Sequence, residues 1–176
     1  MGGGLLPGAS GSPRLTLAEH WNGHKWRVVP SPSPGGADNI LLAVAAVSAH
    51  DVWAVGSFVV SGFGPSQTLI EHWNGTSWSV VASPSPGTDN GLKGAAIISG
   101  ADIWAVGFTA TSNFVDQTLI EQWNGSSWSV VPSPSPSTIF NILNAAAADK
   151  TTGQAWAVGD FSNASQYLQT LTEFNP

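Results

Sequence analysis

Residues 68–87 read TLIEHWNGTSWSVVASPSPG; the stretch returns at 118–137 as TLIEQWNGSSWSVVPSPSPS and stands earlier, at 16–35, as TLAEHWNGHKWRVVPSPSPG. A fourth start, TLTEFNP, occupies 170–176. Between these copies lies a second block, DVWAVG at 51–56, DIWAVG at 102–107 and QAWAVG at 154–159. The period is about 50 residues, and repetition at that spacing marks a chain built from one supersecondary unit used several times.

Inside one period the local signals are those of strands. Leu69, Glu71 and Trp73 alternate with Ile70 and His72, and Asn74-Gly75 is a strong hairpin signal. Trp78 to Val81 is aromatic and β-branched and stops at the Ser-Pro-Ser-Pro run from Ser83, because proline has no N–H to continue a central strand. Two more strands are expected at 41–48 and 52–59, joined by a turn at 49–51, with counterparts at 92–99 and 103–109. Alanine favours helix, which would suit the Ala-rich run from Asn144 to Ala148. The equivalent positions Val47, Ile97 and Ile98 are β-branched, however, and the segment is too short for a stable helix, so strand is expected there too. Four short antiparallel strands per period predict an all-β chain of β-propeller-type blades, about three repeats in extent.

One glycine (Gly56, Gly107, Gly159) closes the WAV strand, a strand with a Glu and an aromatic follows, and a Trp comes after a turn. In this order the chain resembles kelch-type repeats, and the DVWAVG and HWNGTSW blocks are similar to repeats of bacterial propeller proteins of the kelch and BNR type. The resemblance spans 16–176. It departs from kelch in having one glycine where two are usual, and the S-x-D-x-G-x-x-W box of sialidase-type blades is absent. The domain reading is a flexible N-terminal lead over 1–13 and a repeat region over 14–176, with blade boundaries near 16–40, 41–90, 91–141 and 142–176. About three blades fall short of the four to eight that close a propeller. The expectation is therefore a homo-oligomer that completes the ring, or the remainder of a longer propeller.

Composition narrows the function. Charged residues are only 9% of the 176, and five Lys+Arg against eleven Asp+Glu leave a net charge of −6. No basic run exists to hold nucleic acid or an anionic membrane. The absence of cysteine excludes disulfides, thiolate catalysis and sulfur-ligated zinc. No GxSxG, HExxH, Walker A, GxGxxG or calcium-loop motif occurs, so no cofactor, metal or catalytic residue is expected and the chain reads as a non-enzyme. No apolar run is long enough to insert in a membrane, and an extracellular or cell-surface setting is favoured.

The repeated residues read as structural. Trp53, Trp73, Trp78, Trp104, Trp123 and Trp156 are expected largely buried between blades, and these with Trp128 read as structural repeat residues rather than as sugar-stacking platforms. Glu71 and Glu121 recur with Glu19 and Glu173, and no second acid recurs at a spacing suited to glycoside hydrolysis. A fixed hydrogen bond to a turn amide or an indole N–H is expected for them. Asp51 and Asp102 read as Asx-type turn residues. Gly56, Gly107 and Gly159 read as positions crowded by the neighbouring blade's backbone near the axis.

What varies between copies is the loops at 60–67, 110–117 and 162–169 and the connections at 34–39, 86–90 and 136–141. In a propeller these open on one face, where a rigid scaffold commonly carries binding residues. The candidate ligand-binding residues there are Phe63, Gln67, Phe114, Asp116, Phe140 and Tyr167. The function expected is a non-enzymatic module that binds a protein or glycan through these loops. The alternatives are a structural assembly repeat, or part of a larger kelch-like or sialidase-like propeller enzyme with acids drawn from Asp38, Asp89, Asp116 and Asp160.

Overall fold

A computed structural model describes residues 12–112, 115–162, 165 and 167–175. The proposed lead at 1–13 falls almost wholly outside them. Every regular element among the described residues is a strand: β1 (Ala18–Trp21), β2 (Trp26–Val29), β3 (Asn39–Ser48), β4 (Asp51–Val59), β5 (Ser66–Trp73), β6 (Trp78–Val80), β7 (Asp89–Ser99), β8 (Asp102–Ala110), β9 (Asp116–Trp123), β10 (Trp128–Val131), β11 (Asn141–Asp149), β12 (Gln154–Ser162) and β13 (Leu168–Asn175). The Ala-rich run is strand, as the β-branched counterparts require. The strands form four antiparallel sheets in sequence order: β1-β2, β3-β4-β5-β6, β7-β8-β9-β10 and β11-β12-β13. This is an all-β chain of propeller-type blades, two of them four-stranded. The first strands β3, β7 and β11 pack side by side, which places β7 between its two neighbours.

Strand alternation explains how each sheet buries both faces. In β8, Ile103 and Ala105 join the core shared with the second sheet, whereas Trp104 and Val106 join the core shared with the fourth. Leu119 and Ile120 divide the same way in β9. A strand buried on both sides reads as a continuous apolar run, which is what IWAV is.

Trp73 lies opposite Trp78, so residues 74–77 form a four-residue turn, and the two rings approach to 5.8 Å between centroids. Asn74 Oδ1 accepts from the Thr76 and Ser77 amides at 3.0 Å each, and Gly75 takes φ +92°. Beyond the hairpin, the Ser-Pro-Ser-Pro run is latched to the third strand. The Thr68 hydroxyl donates to the Pro84 carbonyl at 2.8 Å, and the Thr68 amide donates to Ser85 Oγ at 3.0 Å. The same bonds recur at Thr118 with Pro134 and Ser135, and at Thr16 with Pro32 and Ser33.

Three sequence expectations change here. Trp53, Trp104 and Trp128 are buried, but Trp73, Trp78 and Trp123 are half-buried and Trp156 is 46% exposed. Trp156 faces away from the third sheet and, among the described residues, has no further sheet beyond it; it stacks on Phe174 at 4.3 Å. Asp51 and Asp102 are cross-strand acceptors rather than Asx-turn residues. Asp51 Oδ1 accepts from Trp53 Nε1 and contacts His72 Nε2, both at 2.9 Å, and Asp102 Oδ1 accepts from Gln122 Nε2 at 2.9 Å. His72 and Gln122 interchange because each can present an N–H to that carboxylate.

The third change concerns the glycines. A Cβ on Gly107 would collide with the Gly91 carbonyl and Leu92 Cα of its own sheet, not with the neighbouring blade. The cause is a bulge in β7 between Leu92 and Gly94, which brings that strand's backbone against Gly107; Gly56 and Gly159 face the corresponding bulges of β3 and β11. The close approach between blades is at Gly94, where a Cβ would stand 2.8 Å from Ala145 Cα. Gly107→Val is expected to cost about 2–4 kcal/mol by overpacking and backbone strain. Gly100→Ala, whose Cβ would meet only ordinary contacts at 3.6 Å and beyond, should stay within about 0.5 kcal/mol. Urea melts of both variants measure the difference, and equal midpoints would refute the bulge as the constraint.

Candidate binding face

Val60, Ala110 and Ser162, at the ends of second strands, lie against the connections that enter β3, β7 and β11 because backbone bonds tie them. Gly36 N donates to Val60 O at 2.9 Å, Thr88 N to Ala110 O at 2.9 Å, and Ser162 N to Phe140 O at 3.0 Å. One buried asparagine per blade holds this face rigid. Asn39, Asn90 and Asn141 are each at most 2% exposed. Each amide donates to a backbone carbonyl of the preceding blade: Asn39 Nδ2 to Arg14 O, Asn90 Nδ2 to Ser66 O and Asn141 Nδ2 to Asp116 O. Each Oδ1 accepts from a connection amide, that of Gly35, Gly87 or Ser137, at 2.6–3.0 Å. A buried amide whose donors and acceptor are all engaged specifies one loop geometry. Asparagine recurs at this one place in all three copies of the repeat, a signal visible in the sequence but not used above.

The candidate residues do not converge on one point. Phe63 is fully exposed at the tip of the 60–65 loop, and Tyr167 is exposed beside the start of β13. Gln67 is exposed on β5, Asp116 is half-buried on β9, and Phe140 is half-buried with its carbonyl engaged by Ser162. Phe114 lies outside the described residues. What the reading missed is a cavity of about 380 Å³ on the third blade, walled by Pro86, Thr88, Thr109, Thr111, Ser112 and Gln117, in which hydroxyls stand among a lining that is more apolar than polar. Two of its hydroxyls are oriented by internal bonds: the single Thr88 O–H is shared between the Ala110 and Thr111 carbonyls, and Thr109 Oγ1 donates to Asn90 Oδ1. Each hydroxyl oxygen keeps acceptor capacity while its proton is engaged. Gln117 belongs to a series, Gln67, Gln117 and Gln169, standing one residue before each third-strand threonine.

Of the four loop-face acids, Asp89 and Asp116 share one blade and couple electrostatically, while Asp38 and Asp160 stand on others. Arg14 donates to both oxygens of Asp38 at 2.7 and 2.8 Å, which holds that carboxyl below its usual range. Asp89 accepts from the Ser66 amide and hydroxyl, and Asp160 from Asn144 Nδ2 at 2.6 Å. Asp116 is pushed up, mainly by burial and then by Asp89, with Lys93 opposing. No group of three or more His, Cys, Asp or Glu suited to a metal occurs among the described residues.

The repeated glutamates behave differently from expectation. Glu71 and Glu121 are fully buried, and none of their carboxyl oxygens has a hydrogen-bond partner among the described residues. The expected bond to an indole is absent, since Trp104 and Trp128 Nε1 are likewise unpartnered. Burial raises Glu71 to about 7, Glu121 to about 8 and Glu173 to about 7. The Ser31 hydroxyl pulls Glu71 the other way, but its proton goes to Thr16 Oγ1.

No protein-family model matches the chain, and no curated protein matches it. Among solved structures it is similar to YCF48 bound to D1 peptide, at 14% identity and a TM-score of 0.48, over 91% of this chain and 46% of that one. It is similar as well to a fucose lectin from Kordia zhangzhouensis in complex with methyl-fucoside, at 13% identity and a TM-score of 0.48, over 74% of this chain and 90% of that one. The chain thus spans about half the length of the YCF48 structure.

The glutamates give the fold a pH dependence of definite sign. Their folded-state values of about 7 to 8 stand above the usual 4.5, so between those limits the folded chain binds more protons than the unfolded one. Stability is therefore greatest below about pH 4.5 and falls as pH rises through the folded values. The urea midpoint should be higher at pH 5 than at pH 8, and Glu121→Gln should flatten that slope. Midpoints that do not change across this window in the parent chain would show that the carboxyls are solvated when folded.

Proposed function

We propose that the chain is a non-catalytic binding module of propeller type, kelch-like in strand order, that recognises a protein or glycan ligand through its loop face in an extracellular or cell-surface setting. The observation that carries this reading is the hydroxyl-lined cavity on the third blade, set among loops that the buried asparagines hold in place. A slot with no charged residue in its wall, mostly apolar and carrying a few hydroxyls and the Gln117 amide, suits a neutral ligand with both apolar and hydrogen-bonding surface. Phe63, Gln67, Phe114, Asp116, Phe140 and Tyr167 are further candidate contacts outside the cavity wall; an exposed aromatic such as Phe63 supplies a flat apolar platform at small entropic cost.

The competing reading is a structural assembly repeat, favoured by how many of the repeated residues serve packing: the tryptophans, Gly56, Gly107, Gly159, and the threonine and asparagine latches. A glycan array followed by titration separates the two. The binding module should show saturable binding that Thr109→Val and Phe63→Ala each weaken about tenfold, a loss of about 1.4 kcal/mol per variant, with the circular dichroism spectrum unchanged. Binding to neither glycans nor proteins displayed at high micromolar concentration would leave the assembly reading standing.

A further inference from the structure

Between the second and third sheets the groove is closed. Trp53 of β4 lies against Trp123 and Trp128 of the next sheet, with ring centroids 5.0 and 5.6 Å apart, and stacks on His72. One repeat further on the same groove is open. Trp104 stands where Trp53 stood, but β13 brings Glu173 and Phe174 and no tryptophan. A cavity of about 300 Å³ remains, walled by Trp104, Ile120, Val131, Pro132, Ala157 and Glu173 among others. Trp104 is 6% exposed, yet its Nε1 has no partner among the described residues, and neither has Glu173 Oε1 in the same wall.

One repeat earlier the complementary defect appears. Trp73 and Trp78 border a cavity of about 220 Å³ together with Ala18, His20, Val44 and Val52. Here the fillers Trp123 and Trp128 have their counterparts in place, but among the described residues no second-strand tryptophan lies across from them. The missing pieces are exposed elsewhere on the chain. The β1-β2 hairpin leaves Trp21 48% and Trp26 63% exposed, at the positions equivalent to Trp123 and Trp128. On β12, Trp156 is exposed at the position equivalent to Trp53, and Val158 at that of Val55.

We propose that two copies of this chain close a six-bladed ring by exchanging hairpins: the β1-β2 hairpin of each copy takes the third- and fourth-strand places beside β12 of the other and releases β13. Trp21 and Trp26 then fill the cavity at Trp104, and Trp156 fills the cavity at Trp73 and Trp78 of the second copy. The repeat sets the register. Val52 pairs with Trp73 and Trp53 with His72, which places Ala155 opposite Trp21 and Trp156 opposite His20. Both defects are filled by one exchange, and the two junctions are identical, so the assembly closes on a two-fold axis without a free sheet edge at either junction. Each copy supplies two whole sheets and half of each shared one, and six blades lie within the range in which propellers close.

The chain has no cysteine, which makes the test clean. Ala18 and Val158 correspond to Ile70 and Val55, directly opposite in the second sheet, at a separation a disulfide spans. Mixing a chain carrying Ala18→Cys with one carrying Val158→Cys under oxidising conditions should yield a disulfide-linked pair, and native mass spectrometry of the parent chain should give twice 18.2 kDa. Trp26→Ala should weaken dimerisation at least tenfold. A parent chain that stays monomeric at tens of micromolar, an assembly of any other number, or a dimer whose mixed cysteine variants do not cross-link would each overturn the proposal. The cysteine variants keep every tryptophan, so the result does not depend on whether Trp26→Ala folds.

Discussion

The constraint on which this structure rests is that each of its sheets is apolar on both faces. A strand such as Ile103 to Val106 sends alternate side chains into two different cores, and burial of apolar surface at roughly 25 cal/mol per Å² rewards only those faces that find a neighbour. One sheet is therefore never a stable unit; stability is a property of sheet pairs, as in other stacked repeats. The middle of the chain meets the condition fully, with Leu92, Ile103 and Leu119 at or below 1% exposure. The flanking sheets meet it on one face, and there the same residue types become exposed. Trp156 and Trp53 differ in environment, not in chemistry.

Polar groups inside this arrangement fall into two sets with opposite energetics. Thr16, Thr68, Thr118 and the asparagines at 39, 90 and 141 are buried or partly buried, and their hydrogen bonds close on backbone that has no ladder partner. The proline run and the inter-blade connections supply carbonyls and amides that would otherwise be unpaired. The glutamates lack such partners. A carboxylate taken from water without a counter-ion is destabilising by several kcal/mol and responds by holding its proton. Glu121, with burial as its sole perturbation and raised to about 8, sits in the core as a neutral acid at pH values where in water it would already be charged.

Much of the architecture was legible because it repeats. Strand positions and the turn at Asn74-Gly75 followed from alternation and from the copying of one unit. What failed to show was cross-strand and cross-blade geometry. Asp51 looked like a turn residue because it is next to a turn, while its bonds run to Trp53 and to His72, twenty-one positions away. The bulges opposite Gly56, Gly107 and Gly159 leave no composition signal, since the bulged residues Leu42, Lys93 and Asn144 have nothing in common. The cavity beside Gln117 depends on the spacing of a connection and a loop from different parts of the chain, and hydroxyl-rich loops look alike in sequence whether or not they enclose a space.

The separation of constant from variable positions follows from where the latches sit. Each asparagine grips its own connection and the start of the third strand in the preceding blade, and so isolates the residues between those points from the packing behind them. A change from GFGP at 62–65 to the quite different residues of the next copy alters no bond to Asn90 or Thr68, because those bonds use backbone atoms and the residues at either end. The tryptophan hairpins enjoy no such freedom, since Trp128 touches a ring of the adjacent blade and any change is felt across the groove. A scaffold fixed by inter-blade aromatics and loops fixed only at their feet is one in which recognition can vary while the fold does not.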